Sequence, residues 1–126
     1  MVDLEQATIC SINANAYVDN VLVTNSGWAS AAARLYAAGH DLRHPLISPI
    51  YGDFTGFPPA IVTSGTRDLF LSNAVRTHRK LRHAGVDAVL QVFEGQSHAQ
   101  FVMPFVPETE DAFGEIARFL GTHLAA

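Results

Sequence analysis

A chain of 126 residues with a net charge of −4 is one domain or part of one, and at this length a compact chain can bury about two-thirds of its unfolded surface. Hydrophobic residues at 48% against charged residues at 16% exclude an intrinsically disordered chain. So little charge on so small a domain also implies that some of its apolar surface is covered by something else.

Five of the basic side chains, Arg67, Arg76, Arg79, Lys80 and Arg82, fall within sixteen residues. The chain as a whole is acidic and no stacking aromatics are interleaved, so they read as a solvated helix face and no nucleic-acid partner is expected. The single cysteine, Cys10, excludes an internal disulfide and reads as a small buried residue rather than a nucleophile. No apolar run reaches the length of a membrane span or of a signal-peptide core, so the expectation is a soluble cytoplasmic protein without a membrane partner.

In chain order, residues 1–25 show no helical or alternating stripe and are expected to be an irregular or partly helical lead-in. Asn25 or Ser26 is placed to cap a helix with Trp28, Ala31, Ala32, Leu35 and Tyr36 on one stripe, ended by Gly39. Such a helix needs a partner surface for Trp28. From His40 to Pro59 the prolines and the turn signals Gly52-Asp53 and Thr55-Gly56 forbid regular structure, and long ordered loops of this kind are usually functional or family-specific. His40 and His44 stand four residues apart within it. Gly39 and Pro45 bracket them and oppose the helix that would aim both at one metal ion, so neither a metal nor a cofactor is expected.

Residues 60–126 read as strand, helix, strand, helix. Ala60 to Ser64 is a short buried strand, entered through Pro58-Pro59 and left through Gly65, which delivers Asp68 just past its carboxyl end. Leu71, Ala74, Val75, His78 and Leu81 form the stripe of a helix from about Ser72 to Gly85, with His78 a satisfied core or boundary histidine. Ala88 to Phe93 is apolar on both alternating faces apart from Gln91, as a parallel strand covered on two sides should be. It is followed by Gly95 and His98. A last helix begins near Pro107 to Thr109 and sets Ala112, Phe113, Ile116, Phe119, Leu120 and Leu124 on one face.

A strand, helix, strand unit leaves its strands parallel and usually adjacent, with both carboxyl ends at one edge. Strands lie about 4.8 Å apart, so Asp68 and His98 can meet in a hydrogen bond of roughly 2.6 to 3.2 Å. The carboxylate of Asp68 could alternatively serve only to cap the following helix. An acid that orients a histidine is two-thirds of a nucleophilic triad. The fold class is therefore α/β, with short parallel strands flanked by amphipathic helices.

The stretches PLISPIYGDFTGFPP, VTSGTRDLFLS and LRHAGVDAVLQVFEGQSHAQF give the chain a specific resemblance to the C-terminal part of an α/β-hydrolase of the hormone-sensitive-lipase-like family, closest in wording to acetyl-esterase and lactone-hydrolase members. The resemblance covers roughly residues 15–124. It implies that Asp68 and His98 are the acid and the histidine of a serine triad, acting on a small ester or lactone. The family's HGG-type oxyanion motif and G-x-S-x-G elbow do not occur in this sequence. Ser97, in the nearest imitation GQSHA, lacks the final glycine; Ser64 lies inside a strand and Ser26 at a helix cap, so none reads as a nucleophile. Two readings follow: an ester or lactone hydrolase represented by the half that carries acid and histidine, or a catalytically inactive, self-associating fragment of one. Both anticipate a homo-oligomer that buries the strand edge, the Trp28 helix or the face of the last helix.

Overall fold

The structure is a computed structural model that describes residues 10–124. Its centre is a two-stranded parallel sheet, β1 (Ala60–Gly65) and β2 (Ala88–Phe93), paired in register from Ala60 with Ala88 to Gly65 with Phe93. β-Branched residues at 61–63 and at Val89 and Val92 favour the extended backbone. On the paired centre, Thr63 Oγ1 donates to Gln91 Oε1 at 3.2 Å, while the buried Gln91 Nε2 has no hydrogen-bond partner among the described residues.

The crossover helix α3 (Leu71–His83) packs against both strands, and its last turn carries Lys80, Arg82 and His83 at the negative end of the helix dipole. Phe54, Leu81, Val86 and Ala88 form a buried cluster with Ala60, Val62 and Ala84 packed around it. Phe54 comes from the proline-rich loop of residues 40–59, which is irregular apart from a 3-10 turn at Pro49–Tyr51 and is anchored by its buried residues Ser48, Ile50 and Phe54. Lys80 departs from the solvated face expected of it. Its Nζ donates to the Ile50 carbonyl and lies 5.2 Å from the Phe54 ring centre, tying α3 to that loop.

The lead-in contains a short helix, α1 (Cys10–Ala14), followed by turns to residue 27. Nothing of the Cys10 side chain falls within the described part. Helix α2 (Trp28–Ala37) is capped by neither Asn25 nor Ser26: its N-cap is Gly27 at φ 109°, a conformation that glycine reaches without strain, and Ser26 Oγ is engaged with Thr24 Oγ1 at 3.0 Å. Helix α4 (Glu108–Leu124) starts where the sequence places it, with Glu108, Glu110 and Asp111 in its first turn. It buries Ala112 against the body but leaves Phe113 and Leu120 exposed.

Apolar surface is left uncovered elsewhere too. Trp28 is 63% and Leu35 83% exposed, so the stripe of α2 faces away from the described part of the chain. Val89 and Val92 are exposed on opposite faces of β2, so the described part of the chain covers this strand only in part.

One contact fixes how the two strand-end turns approach each other. A Cβ built on Gly65 would sit 2.0 Å from the Gln96 carbonyl oxygen, so the end of β1 and the turn after β2 touch backbone to backbone. Gly65→Ala is expected to lower stability by about 1–3 kcal/mol through overpacking. Gly114→Ala, inside α4 with its nearest heavy atom 4.0 Å away, is expected instead to raise it by about 0.5–1 kcal/mol. Urea denaturation of the two variants measures both, and equal effects would contradict the close approach.

Candidate active site

Both strand-end turns deliver their side chains to one place. Asp68 follows β1 by three residues and is 4% exposed; His98 follows β2 by five. His98 Nδ1 lies 3.0 Å from Asp68 Oδ1, inside the range anticipated from the strand spacing. An ionised carboxylate only accepts, so the ring nitrogen facing it carries the proton. The same Oδ1 accepts the Phe70 N–H at 2.7 Å and Oδ2 accepts the Ser64 hydroxyl at 2.8 Å. Asp68 thus closes its own turn through the Phe70 N–H and holds the imidazole at once, while α3, with Phe70 at its N-cap position, has no side-chain cap.

Burial pushes the Asp68 carboxyl up, but the His98 ring, the Phe70 N–H and the Ser64 hydroxyl together outweigh it and hold the group below its ordinary value of 3.8. For His98 the hydrogen bond to Asp68 is the leading cause; burial opposes it, the charges of Asp68 and Asp19 add to it, and the ring ends above its ordinary 6.5. Phe70 meets the imidazole edge-on, with ring centres 5.5 Å apart. The side chain of His98 remains 37% exposed and its Nε2 has no hydrogen-bond partner among the described residues. A ring so arranged can take a proton at Nε2 while its other nitrogen stays fixed.

Beside the pair runs an open groove of about 430 Å³ between β1 and α3, lined by Phe57, Ile61, Thr63, Phe70, Thr77 and Leu81, with Asp68 and His98 at one end. Thr77 Oγ1 is buried there without a hydrogen-bond partner among the described residues.

The serines are otherwise engaged. Ser97 is 2% exposed, and its Oγ accepts the Asn20 N–H at 3.1 Å, a structural tie between the histidine loop and the lead-in. His78 Nε2 donates to the Ala88 carbonyl at 3.1 Å, as a satisfied boundary histidine. His44 Nδ1 accepts the Leu46 N–H at 3.2 Å on an exposed turn, with His40 on another. Among the described residues no three His, Cys, Asp or Glu side chains gather as a metal site, and no helix is long and apolar enough to cross a membrane.

Sequence reasoning missed the braces behind the pair. Asn15 Nδ2 donates to the Thr66 and Asp68 carbonyls at 3.0 and 2.9 Å. Ser11 Oγ donates to the Leu69 carbonyl at 2.7 Å. Asp19 Oδ2 accepts the Leu69 N–H at 2.9 Å and the His98 N–H at 3.3 Å. A signal for Asp19 did exist: it is the one charged residue between Glu5 and Arg34.

A sequence profile described as the alpha/beta hydrolase fold matches residues 1–102, and the chain belongs to that family. Its resemblance is to hormone-sensitive-lipase-like members. An acetyl-hydrolase of Streptomyces hygroscopicus is 32% identical over 91 residues, covering 71% of this chain and 30% of that protein. An esterase of Acinetobacter venetianus is 29% identical over 76 residues, covering 60% of this chain and 25% of its own length. The crystal structure of an esterase, E25, superposes with a TM-score of 0.91 at 49% identity over 96% of this chain and 37% of that one. An esterase from the bacterial hormone-sensitive lipase family does so with a TM-score of 0.84 at 30% identity, over 96% and 39%. The chain therefore spans between a quarter and two-fifths of the length of these relatives.

The tie between Asp68 and His98 has a measurable pH signature. His98 binds its proton more tightly folded than unfolded, so the pair stabilises the fold fully below pH 6.5 and loses that contribution as pH rises through the elevated folded value. From the side of Asp68, the contribution is present above pH 3.8 and is lost as pH falls through the depressed folded value. Urea denaturation followed by circular dichroism should show stability declining as pH rises beyond 6.5. In Asp68→Asn that part of the decline should vanish, and an unchanged slope in the variant would contradict the pairing.

Proposed function

We propose that this chain carries the acid and the base of a carboxylic-ester or lactone hydrolase of the serine-triad type, with Asp68 as acid and His98 as base. The observation that carries the reading is the 3.0 Å contact from Asp68 Oδ1 to His98 Nδ1, with Nε2 left open. Supporting it are the names of the similar proteins, an acetyl-hydrolase and several esterases. In this reading His98 Nε2 takes the proton of a serine hydroxyl and returns it to the departing alkoxide, while Asp68 fixes the tautomer and stabilises the imidazolium.

The serine and the oxyanion donors are supplied from outside these 126 residues, because neither motif occurs in them. The open groove and the unpartnered Thr77 hydroxyl support such a completion, since a buried hydroxyl without a partner is costly. The substrate class in this reading is a small ester or lactone. A cytoplasmic setting belongs to the same proposal and is supported by the single cysteine.

A second reading, a catalytically inactive chain that associates with itself, is favoured by one group of observations: the outward stripe of α2, the exposed valines of β2 and a β1 that pairs on one side alone among the described residues. Self-association is compatible with either reading, and light scattering is expected to give a dimer or larger species. A monomer would count against it.

Without a serine no acyl-enzyme forms, and without oxyanion donors about 3–4 kcal/mol of transition-state stabilisation is missing. The chain alone is expected to hydrolyse p-nitrophenyl acetate at background rate. Mixing it with the portion of esterase E25 that lies outside the matched segment is expected to produce turnover, and His98→Ala to reduce that turnover by at least about 10³-fold. Hydrolysis by the chain alone, abolished by one serine substitution within it, would overturn this assignment of roles. Complementation that yields no turnover under conditions where the two pieces bind each other would favour the inactive chain.

A further inference from the structure

We infer that Asp19 is a positioning residue: its buried carboxylate locks the Asp68 turn to the His98 loop by accepting one backbone N–H from each at a single oxygen. The inference rests on the reading of Asp68 and His98 as acid and base, and it adds a third carboxylate that touches neither substrate nor reacting atoms.

Asp19 is 1% exposed, and an ionised carboxylate so deeply buried needs several donors. It has four. Oδ1 accepts the N–H groups of Val21 and Leu22 at 2.9 and 3.0 Å, which closes its own turn. Oδ2 accepts those of Leu69 and His98 at 2.9 and 3.3 Å. Leu69 immediately follows the acid of the pair, and His98 is its other member. One atom therefore spans the two turns that must stay in register for the imidazole to meet Asp68, and bonds to a charged acceptor are stronger than neutral ones.

The turn that presents Asp19 is itself held. Asn15 bonds the Thr66 and Asp68 carbonyls, and the Asn20 N–H bonds Ser97 Oγ, so the segment grips both sides of the pair. Tyr17 and Val23 adopt left-handed backbone, at φ 62° and 63°. A β-branched residue at positive φ persists only where its surroundings impose it. Here the Asp19 carbonyl accepts the Val23 N–H at 3.1 Å, and the Val23 carbonyl accepts the Tyr17 N–H at 2.6 Å. The whole turn is wound around Asp19.

The test reads the histidine directly by nitrogen NMR of the imidazole, at a pH where His98 is neutral. In the unmodified chain the ring is expected mainly as the Nδ1-protonated tautomer. Asp19→Asn, which replaces one acceptor oxygen by a donor, is expected to move it to a mixture with the Nε2-protonated form and to speed exchange of the Leu69 and His98 amides by about tenfold. Ser11→Ala is the control: it removes the bonds to the Leu69 carbonyl and the Ser72 N–H, loosening the same segment without touching the carboxylate, and it is expected to leave the tautomer unchanged. Wild-type tautomer proportions in Asp19→Asn, or an equal shift in Ser11→Ala, would overturn the proposal. If Asp19→Asn does not fold, hydrogen exchange of the unmodified chain decides: the amides of Leu69 and His98 must be protected together with those of Val21 and Leu22, and unprotected Leu69 or His98 amides overturn the proposal. None of these readouts needs turnover, so failure here leaves the esterase reading standing, and failure of the esterase reading leaves these bonds measurable.

Discussion

Parallel pairing of β1 with β2, Ala60 against Ala88 through Gly65 against Phe93, is the constraint from which the candidate site follows. Parallel neighbours end at the same edge, so the turn after each strand opens into the same space. The spacing of about 4.8 Å between strands then brings side chains a few residues further on within one hydrogen bond of each other. Gly65 lets the second turn come down onto the end of the first strand, because any side chain there would occupy the position of the Gln96 carbonyl. Arg67 N donates to that same carbonyl at 3.1 Å, so the closeness that excludes a side chain also ties the turns together.

Around this edge several polar side chains are buried. Asp19, Ser64, Asp68 and Ser97 are all among the buried side chains, and each has named partners. Buried carboxylates are costly unless several donors face them, and here five of the seven donors to Asp19 and Asp68 are backbone N–H groups, three of them from the two turns. The groups that neutralise the cost of burial are therefore the same groups whose positions define the site.

The apolar inventory behaves differently. Phe54, Leu81, Val86 and Ala88 make one small cluster, while Trp28, Leu35, Tyr36, Val89 and Val92 remain exposed. A composition of 48% hydrophobic residues exceeds what two strands and their helices enclose. The relatives are two and a half to four times as long as the segment they share with this chain, and more layers are what such faces need.

Much of this was legible in the residues themselves. Strand, helix, strand and helix from 60 onward are written in β-branched runs, a helical stripe and punctuating glycines, and these local signals decide backbone conformation without distant help. Given parallel strands, the meeting of Asp68 with His98 followed from geometry alone. What the sequence did not determine lies in contacts between distant segments. The cap of α2 fell to Gly27 because its backbone turns through positive φ, which Asn25 and Ser26 do not reveal. Lys80 turned inward because a loop thirty residues earlier supplied a carbonyl and an aromatic face. Asp19 stood out as a lone charge in an uncharged stretch, yet its partners, Leu69 and His98, lie 50 and 79 residues away. Period and propensity report on neighbours along the chain; a carboxylate that binds backbone N–H groups places no demand on the identity of the side chains it meets, so only the folded structure decides which turns it joins.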